Sequence, residues 1–207
     1  MFLPPAAVLN SEAALTIVEA KPELLRKSIH FLIAFSPALA AVNHSFTILF
    51  LMAGILGYSV MEFLRLYGIK VPVVSVITQM ASRTRDTKGF VLGPITLALG
   101  AILALTYFSP LAASIGIYAL AFGDGFASLV GKLYGTCRPA LLFGKSVEGS
   151  IACFTATFTV AYLVSRSLPV SFAAAFAATA TEALPLGDYD NIALPLVVGV
   201  VVQSLLL

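Results

Sequence analysis

The residue best suited to chemistry is Asp124, which stands between Gly123 and Gly125 in an otherwise apolar stretch. An ionisable side chain at membrane depth is costly and therefore indicates a functional site. Glycines leave backbone N–H groups accessible, which suits phosphate and metal contacts. Because Mg²⁺ prefers one or two carboxylates with phosphate oxygens and water, Asp124 is predicted to hold Mg²⁺ on nucleotide phosphates. Asp124→Asn should then abolish activity and spare stability, whereas a carboxylate paired with a lysine for packing would lose stability.

A second candidate, Lys145, follows one loop later between Gly144 and Ser146. The tripeptide does not complete a P-loop, because Pro139 stands where the pattern needs a glycine and an apolar helix is predicted where a strand should precede. Lys145 is nevertheless predicted to meet a phosphate as a compact positive charge. A helix that begins near Ser146 would add N–H groups as an anion site, with Glu148 in its first turn. The alternative is a lysine that snorkels at a membrane boundary.

A third candidate group, Glu182, Asp190 and Asn191, lies in and after a turn between two apolar segments. These residues are predicted to provide a second metal ligand or a base for a substrate hydroxyl. The alternative is a solvated loop, which is the interpretation we give to Asp188 in the same turn.

The start of the first apolar segment carries a fourth group. Glu23, Arg26, Lys27 and His30 lie three or four residues apart and therefore share one face of a predicted helix. Taken alone, this face is an ordinary basic flank with an ion pair. The arginines within 83–85 are a further phosphate candidate, or else charges that set the topology.

These candidates lie in a chain of 207 residues that is 59% hydrophobic and only 11% charged, with a mean hydropathy of +1.00. A soluble domain carries about 25% charged residues. The composition predicts an all-α, polytopic integral membrane protein with a single domain over residues 1–207. The net charge of +2 is too small to suggest nucleic-acid binding.

Seven apolar segments are predicted to be transmembrane helices, although the first and sixth are short for a span of about 20 residues. Pro37 is expected to kink the first. Residues 1–22 are predicted to be an amphipathic segment at the membrane interface, and no cleaved signal peptide is expected. The seven segments cover 28–43, 45–66, 89–108, 111–131, 147–165, 169–183 and 191–207.

The placement of charge predicts the orientation. With the amino terminus inside, every Lys, Arg, Asp and Glu except Arg166 falls at or near the inner side. Basic residues favour the cytoplasmic side, but acidic residues contribute little to that rule. A polar site explains both sets of residues. We therefore expect an active site that faces the cytoplasm from the inner membrane or its equivalent, with the carboxyl terminus outside.

In their order and spacing these residues resemble the CTP-dependent lipid-alcohol kinases, a family that includes dolichol kinase, phytol kinase and CTP-dependent diacylglycerol kinase. The resemblance extends from about residue 23 to residue 196. It is carried by four motifs: Glu23-x-x-Arg26-Lys27-x-x-His30; Gly123-Asp124-Gly125-x-Ala127-x-x-x-Gly131-x-x-x-Gly135; Gly144-Lys145-Ser146-x-Glu148-Gly149-Ser150; and Glu182-x-x-Pro185 followed by Asp190-Asn191-x-x-x-Pro195.

The resemblance implies transfer of the γ-phosphate of CTP, with Mg²⁺, to the hydroxyl of a membrane lipid alcohol: a polyprenol, a phytol-like isoprenoid or a diacylglycerol. Asp124 and Asp190 would hold the metal, Lys145 would stabilise the transferred phosphoryl group, and Asp190 or Glu182 would act on the hydroxyl. The residues that would contact the nucleotide are Arg26, Lys27, His30, Gly123, Gly125, Lys132, Gly144, Ser146, Glu148 and Asn191.

Other classes remain open at this stage. A phosphatidate cytidylyltransferase would also use CTP, but the chain lacks the Lys-Asp and the Asp-Arg-x-Asp ending expected of those enzymes. A small transporter would use Asp124 and Lys145 as a substrate site, yet no internal repeat supports one. A helical scaffold without chemistry is the third alternative. The gathering of charge on one side favours the enzyme.

Overall fold

The computed structural model of the chain describes residues 24, 26–69 and 89–207. Their regular secondary structure is entirely helical, without a strand, which confirms the all-α prediction. The predicted amphipathic segment 1–22, Glu23 and the arginines within 83–85 lie outside the described residues. In chain order the α-helices are α1 (26–33), α2 (Ser36–Val42), α3 (His44–Leu66), α4 (Gly93–Tyr107), α5 (Pro110–Tyr118), α6 (Gly125–Leu133), α7 (Val147–Ser165), α8 (Leu168–Glu182) and α9 (Asp190–Leu206).

Within the described ranges, four helical stretches are long and apolar enough to cross a membrane, which supports a polytopic membrane protein. They are His44–Leu66, Pro110–Leu133, Val147–Ser165 and Gly187–Leu206. Two further predicted segments form helices of only 15 residues each, α4 and α8. The structure therefore supports four of the seven predicted spans by length and composition.

The first predicted segment is broken rather than continuous. Helix α1 ends at residue 33, and α2 begins at Ser36 with Pro37 in its first turn. Proline lacks the N–H that would continue the hydrogen-bond ladder, so the helix restarts. The Ser36 hydroxyl donates to the Ile33 carbonyl at 2.8 Å across the break. The kink predicted at Pro37 is a helix break just before it.

Between α5 and α6 the chain widens into a π-helical turn over Ala119–Asp124. Such turns are rare and often occur at functional sites. This one is largely buried, and Asp124 is its last residue. The π turn therefore determines how the Asp124 carboxylate is presented at the start of α6.

Helix α9 packs against α4 and α5 with close backbone contact. A Cβ atom added at Gly100 would lie 2.1 Å from the Asn191 carbonyl oxygen, and one at Gly116 would lie 2.5 Å from the Pro195 carbonyl oxygen. Because Pro195 lacks an N–H, the Asn191 carbonyl loses its helical donor, and this oxygen is the one that faces Gly100. Small residues allow such close packing where hydrophobic burial between helices contributes little.

Helix α3 is fastened to the start of α4 by a buried carboxylate. Glu62 accepts two hydrogen bonds from Arg65, both at 2.8 Å, and a third from the Val91 N–H at 3.1 Å. The Tyr58 hydroxyl donates to the Val91 carbonyl at 3.1 Å, and Arg65 also donates to the Gly89 carbonyl at 2.9 Å. A two-pronged arginine–carboxylate contact is strong and specific in geometry. These contacts fix the position of the residues that precede α4.

Candidate active site

A cleft of about 430 Å³ lies among the ends of α6 and α8, the starts of α7 and α9, and the connections between them. More than half of the predicted site residues line it, although they come from distant parts of the chain. These residues are Arg26, Asp124, Lys132, Gly144, Lys145, Ser146, Glu182 and Asp190. The structure thus brings the four sequence motifs to one place.

Asp124 is buried and is paired with two residues of α1. The Lys27 ammonium donates to Asp124 Oδ2, and His30 Nδ1 lies 3.2 Å from the same oxygen. Lys27 is only 1% exposed and His30 5%. Ser128, one helical turn after Asp124, places its hydroxyl 3.5 Å from the other carboxylate oxygen. The α1 face predicted from spacing is therefore divided, because Lys27 and His30 contact Asp124 while Arg26 lines the cleft.

The glycines beside Asp124, which were predicted to offer N–H groups to phosphate, serve close packing in the structure. A Cβ atom at Gly123 would lie 2.5 Å from Thr157 Oγ1 on α7, and one at Gly125 would lie 2.8 Å from the Phe31 ring on α1. The Gly125 N–H donates to the Phe122 carbonyl. Neither glycine lines the cleft. Their small size lets two helices reach the π turn.

Lys145 and Glu182, which the sequence places in separate groups, form one ion pair. Lys145 Nζ lies 2.8 Å from Glu182 Oε1 and also donates to the Glu182 backbone carbonyl. Gly144 has a φ angle of +89°, which glycine adopts without strain, and this turn delivers Lys145 to the cleft. The Lys145 side chain remains 30% exposed, so the ammonium is accessible to a ligand.

Helix α7 begins at Val147 as predicted, with Ser146 as its N-cap. The Ser146 hydroxyl accepts a hydrogen bond from the Gly149 N–H at 3.1 Å. The Val147 N–H donates to the Cys137 carbonyl at 2.9 Å. Both of these N–H groups therefore have acceptors within the protein. Fewer N–H groups remain at this helix end for the anion site that we predicted.

Glu148 does not line the cleft, although we predicted a nucleotide contact. Its Oε1 accepts hydrogen bonds from the Thr136 hydroxyl at 2.6 Å, the Thr136 N–H at 3.0 Å and the Cys137 N–H at 3.1 Å. A carboxylate in the first turn of a helix that accepts several donors is well stabilised. Its role here is to fold the 134–146 loop back onto the start of α7.

Arg138 is a cleft residue that the sequence interpretation treated only as topogenic charge. Its Nη1 donates to the Gly144 carbonyl at 2.8 Å and its Nη2 to the Gly131 carbonyl at 2.7 Å. The guanidinium therefore joins the last turn of α6 to the residue just before Lys145. The position of Arg138 between the second and third motifs was the available signal. Ser128, also missed, is four residues after Asp124 and hence one helical turn away.

The glycines of the Gly131-x-x-x-Gly135 motif allow α6 and α7 to approach each other closely. A Cβ atom at Gly135 would lie 2.6 Å from Ser146 Oγ and 2.2 Å from the Gly131 carbonyl oxygen. A Cβ atom at Gly149 would lie 2.8 Å from the Ala127 carbonyl oxygen. These glycines permit the tight contact that forms one wall of the cleft.

The two neighbours Asp190 and Asn191 have different surroundings. Asp190 lines the cleft, whereas Asn191 is buried and donates to Thr96 Oγ1 at 2.9 Å, which ties α9 to α4. Asn191 and His30 border a separate space of about 10 Å³, too small for a nucleotide. Asp188, predicted to be a solvated residue, is half-buried beside the same space.

The residues of the cleft fit a metal ion that arrives with a phosphate ligand. Among the described residues, no three His, Cys, Asp or Glu side chains form a cage for a metal. Mg²⁺ does not require one, since it is usually held by one or two carboxylates with phosphates and water. Asp124 and Asp190 both line the cleft, together with cations that suit phosphates: Arg26, Lys132, Arg138 and Lys145.

Comparison with known proteins identifies kinases. The chain is 28% identical over 152 residues to the probable phytol kinase 1, chloroplastic, of Oryza sativa subsp. japonica, covering 63% of this chain and 47% of the relative. It is 29% identical over 151 residues to the dolichol kinase EVAN of Arabidopsis thaliana, covering 68% and 26%. It is 39% identical over 62 residues to the CTP-dependent diacylglycerol kinase 1 of Eremothecium gossypii, covering 30% and 20%.

These similarities confirm the predicted resemblance to lipid-alcohol kinases at modest identity. The chain spans about half the length of the phytol kinase and less of the other two relatives. No family model matches the sequence, and no solved structure matches it. The relatives thus support a lipid kinase at the level of the family.

The buried contact between Lys27 and Asp124 changes the expected behaviour of Asp124→Asn. Removing one partner of a buried pair leaves an uncompensated charge and costs about 3–5 kcal/mol, so Asp124→Asn and Lys27→Met should each destabilise the protein. The double variant, which removes both charges, should recover most of that stability. Thermal unfolding of the purified protein in detergent measures all three.

The matched control is Lys132→Met, which removes a lysine that is exposed at the cleft. This variant should unfold close to the unmodified protein, because exposed charges contribute little. If Asp124→Asn unfolded at the same temperature as Lys132→Met, the pairing described for Asp124 would be wrong.

Proposed function

We propose that this protein is a lipid-alcohol kinase that transfers the γ-phosphate of CTP to the hydroxyl of a membrane lipid alcohol. The observation that carries the proposal is the cleft, which both Asp124 and Lys145 line, in an apolar helical bundle. The names of the relatives supply the nucleotide and the acceptor class: CTP, phytol, dolichol and diacylglycerol.

Nucleotide binding would rest on the charges of the cleft. Asp124 and Asp190 would hold Mg²⁺, which on binding would neutralise charge on the phosphates. Lys27 orients the Asp124 carboxylate from its buried side. Arg26 and Lys132 lie on the cleft surface and would attract the triphosphate.

Phosphoryl transfer depends mainly on positioning and on stabilisation of charge. Lys145 would contact the transferred phosphoryl group, where its compact ammonium stabilises developing negative charge. The lipid hydroxyl would attack the γ-phosphorus and the bond to the β-phosphate would break, releasing CDP. The proton of the hydroxyl would pass to a cleft carboxylate, Glu182 or Asp190.

The packing of the described helices favours an enzyme over a transporter. Ala101, Ala104, Ala112 and Ala174 are fully buried in the centre of the bundle. A transporter would need a polar path across this region, but these positions are apolar and seven charged side chains line the cleft instead. The relatives named above are kinases and not cytidylyltransferases, which favours phosphate transfer over nucleotidyl transfer.

The protein would lie in the inner membrane or an equivalent membrane, with the cleft open to the cytoplasm. The one-sided distribution of charged residues in the sequence supports this orientation. CTP is available on that side, and a lipid alcohol would approach from the adjacent leaflet.

The proposed reaction is tested by incubating the purified protein with γ-phosphate-labelled CTP and a panel of acceptors: a polyprenol, phytol and a diacylglycerol. We expect label in at least one lipid phosphate. Lys145→Ala should lower kcat about 100-fold or more, as expected for loss of a charge that acts in the transition state. Apparent affinity for the lipid should change less.

Lys145→Arg separates a phosphate contact from a membrane flank. A guanidinium is larger than the ammonium that fits between two oxygens of Glu182, so this variant should also be slow. A snorkelling lysine would tolerate arginine. The control is Arg166→Lys at the opposite end of α7, which should keep full activity. Full turnover by Lys145→Arg would contradict a phosphate contact for Lys145. Failure to transfer label from CTP to any acceptor would refute the kinase function.

The orientation is tested with a cysteine that the chain already contains. Cys137 is exposed on the loop at the cleft, and Cys153 is buried. A membrane-impermeant maleimide should label Cys137 in inside-out vesicles and not in intact cells. The variant Cys137→Ser should abolish that labelling, which assigns the signal to the loop. Efficient labelling in intact cells would reverse the proposed topology.

A further inference from the structure

Two apolar side chains stand out from the 134–146 loop beside the polar cleft. The loop contains a single 3₁₀ turn, Ala140–Leu142, that has no buried residue. Leu141 is 82% exposed and Phe143 is 61% exposed. Neither lines the cleft. We refer to these two residues as the 141/143 tip.

The tip is presented by a structured backbone. Arg138 and Glu148 hold the two limbs of the loop through hydrogen bonds to main-chain groups. Phe143 has a φ angle of +50°, an uncommon conformation for a residue with a side chain, and its ring nevertheless remains outside the protein. The fold therefore maintains an outward-pointing phenylalanine at a position where a polar residue or glycine would be more easily accommodated.

The 134–146 loop connects two helices that are long and apolar enough to cross a membrane. It joins two of the candidate spans, Pro110–Leu133 and Val147–Ser165, through the 13 residues 134–146. Its hydrogen bonds return to the last turn of α6, at the Gly131 carbonyl, and to the first turn of α7, at Glu148. The loop is thus folded against the ends of membrane helices and does not extend far into water.

The surroundings of the tip combine apolar and cationic groups. Lys132 in the last turn of α6 and Arg138 in the loop are both exposed. Across the cleft, Leu184 is 45% exposed and Tyr189 is 63% exposed. Apolar side chains flanked by lysine and arginine are typical of segments that lie in the membrane interface, where the cations contact anionic headgroups. Tyrosine is also common at that depth.

We propose that the 141/143 tip inserts into the interfacial layer of the bilayer and holds the mouth of the cleft at the lipid headgroups. The occupant of this surface is therefore lipid of the leaflet next to the cleft. The tip would keep the cleft at the depth where the hydroxyl of a membrane alcohol lies. This consequence for catalysis rests on the proposed kinase function, whereas the insertion itself does not.

The chain contains no tryptophan, so a single introduced tryptophan reports its own surroundings. Leu141→Trp is the probe, and Phe143→Trp repeats the measurement at the second position. Each variant of the full chain is reconstituted into vesicles that contain lipids brominated on the acyl chains near the headgroup. Quenching by these lipids and quenching by aqueous acrylamide are then compared. Phe50→Trp on the exposed face of α3 is the lipid-facing reference.

We expect the tip tryptophans to be quenched by brominated lipid to at least half the extent of Phe50→Trp and to resist acrylamide. Quenching by acrylamide alone would place the tip in water and overturn the proposal. Quenching by neither agent would mean that protein covers the tip, either another segment of this chain or a second copy, and would also overturn it.

The catalytic consequence is measured with Leu141→Ser/Phe143→Ser. With CTP as donor, activity toward a long-chain alcohol in vesicles should fall about tenfold or more, since two apolar side chains leave the interface. Activity toward a short-chain alcohol dissolved in water should change less than about twofold, because that acceptor does not reach the cleft through the membrane. Equal losses with both acceptors would overturn the positioning role. If the unmodified protein phosphorylated neither acceptor, the kinase function would fail while the quenching result still decided the insertion.

Discussion

The contact between Lys27 and Asp124 is the constraint on which the rest of the site depends. Both groups are almost fully buried, so each requires the other, and the cost of separating them holds α1 against the π turn. The neighbouring glycines make this approach possible, because side chains at Gly123 or Gly125 would collide with α7 or α1. A carboxylate is thereby held at the edge of a cleft at a depth where a lone charge would be unstable.

Charged side chains elsewhere in the site also have partners within the protein. Helices in lipid must satisfy their backbone groups within the protein, and the connections at the cleft do so with charged side chains. Arg138 donates to two carbonyls, Glu148 accepts from two N–H groups, and Lys145 pairs with Glu182. These contacts join α6, α7 and α8 into one frame. These contacts fix the side chains that line the cleft, an arrangement that would favour electrostatic stabilisation of a reacting phosphate.

Sequence patterns predicted the helical class, the limits of α7 and most of the charged residues that line the cleft, because hydropathy and charge are local properties of the chain. They did not predict the π turn or the pairing of Lys145 with Glu182, which depend on contacts between distant segments. They also did not reveal that the glycines beside Asp124 are required for packing, because a glycine required for packing and one required for ligand access look the same in a single sequence. The resemblance implied a nucleotide contact for Glu148, whereas its carboxylate accepts hydrogen bonds from the 134–146 loop, which sequence spacing does not reveal. Helix α4 covers only 15 residues of the predicted segment 89–108, because apolar content does not fix where a helix begins or ends.

The central claim is that Asp124, held by Lys27, binds a metal together with the nucleotide. Mn²⁺ prefers the same oxygen ligands as Mg²⁺, and its electron paramagnetic resonance signal falls when it is bound. The direct measurement is a titration of Mn²⁺ into the protein with CTP present, comparing the unmodified protein with folded Lys27→Met/Asp124→Asn. We expect saturable binding by the unmodified protein that exceeds binding to CTP alone, and loss of this excess in the double variant. Equal excess binding by both proteins would contradict the assignment of Asp124 as a metal ligand.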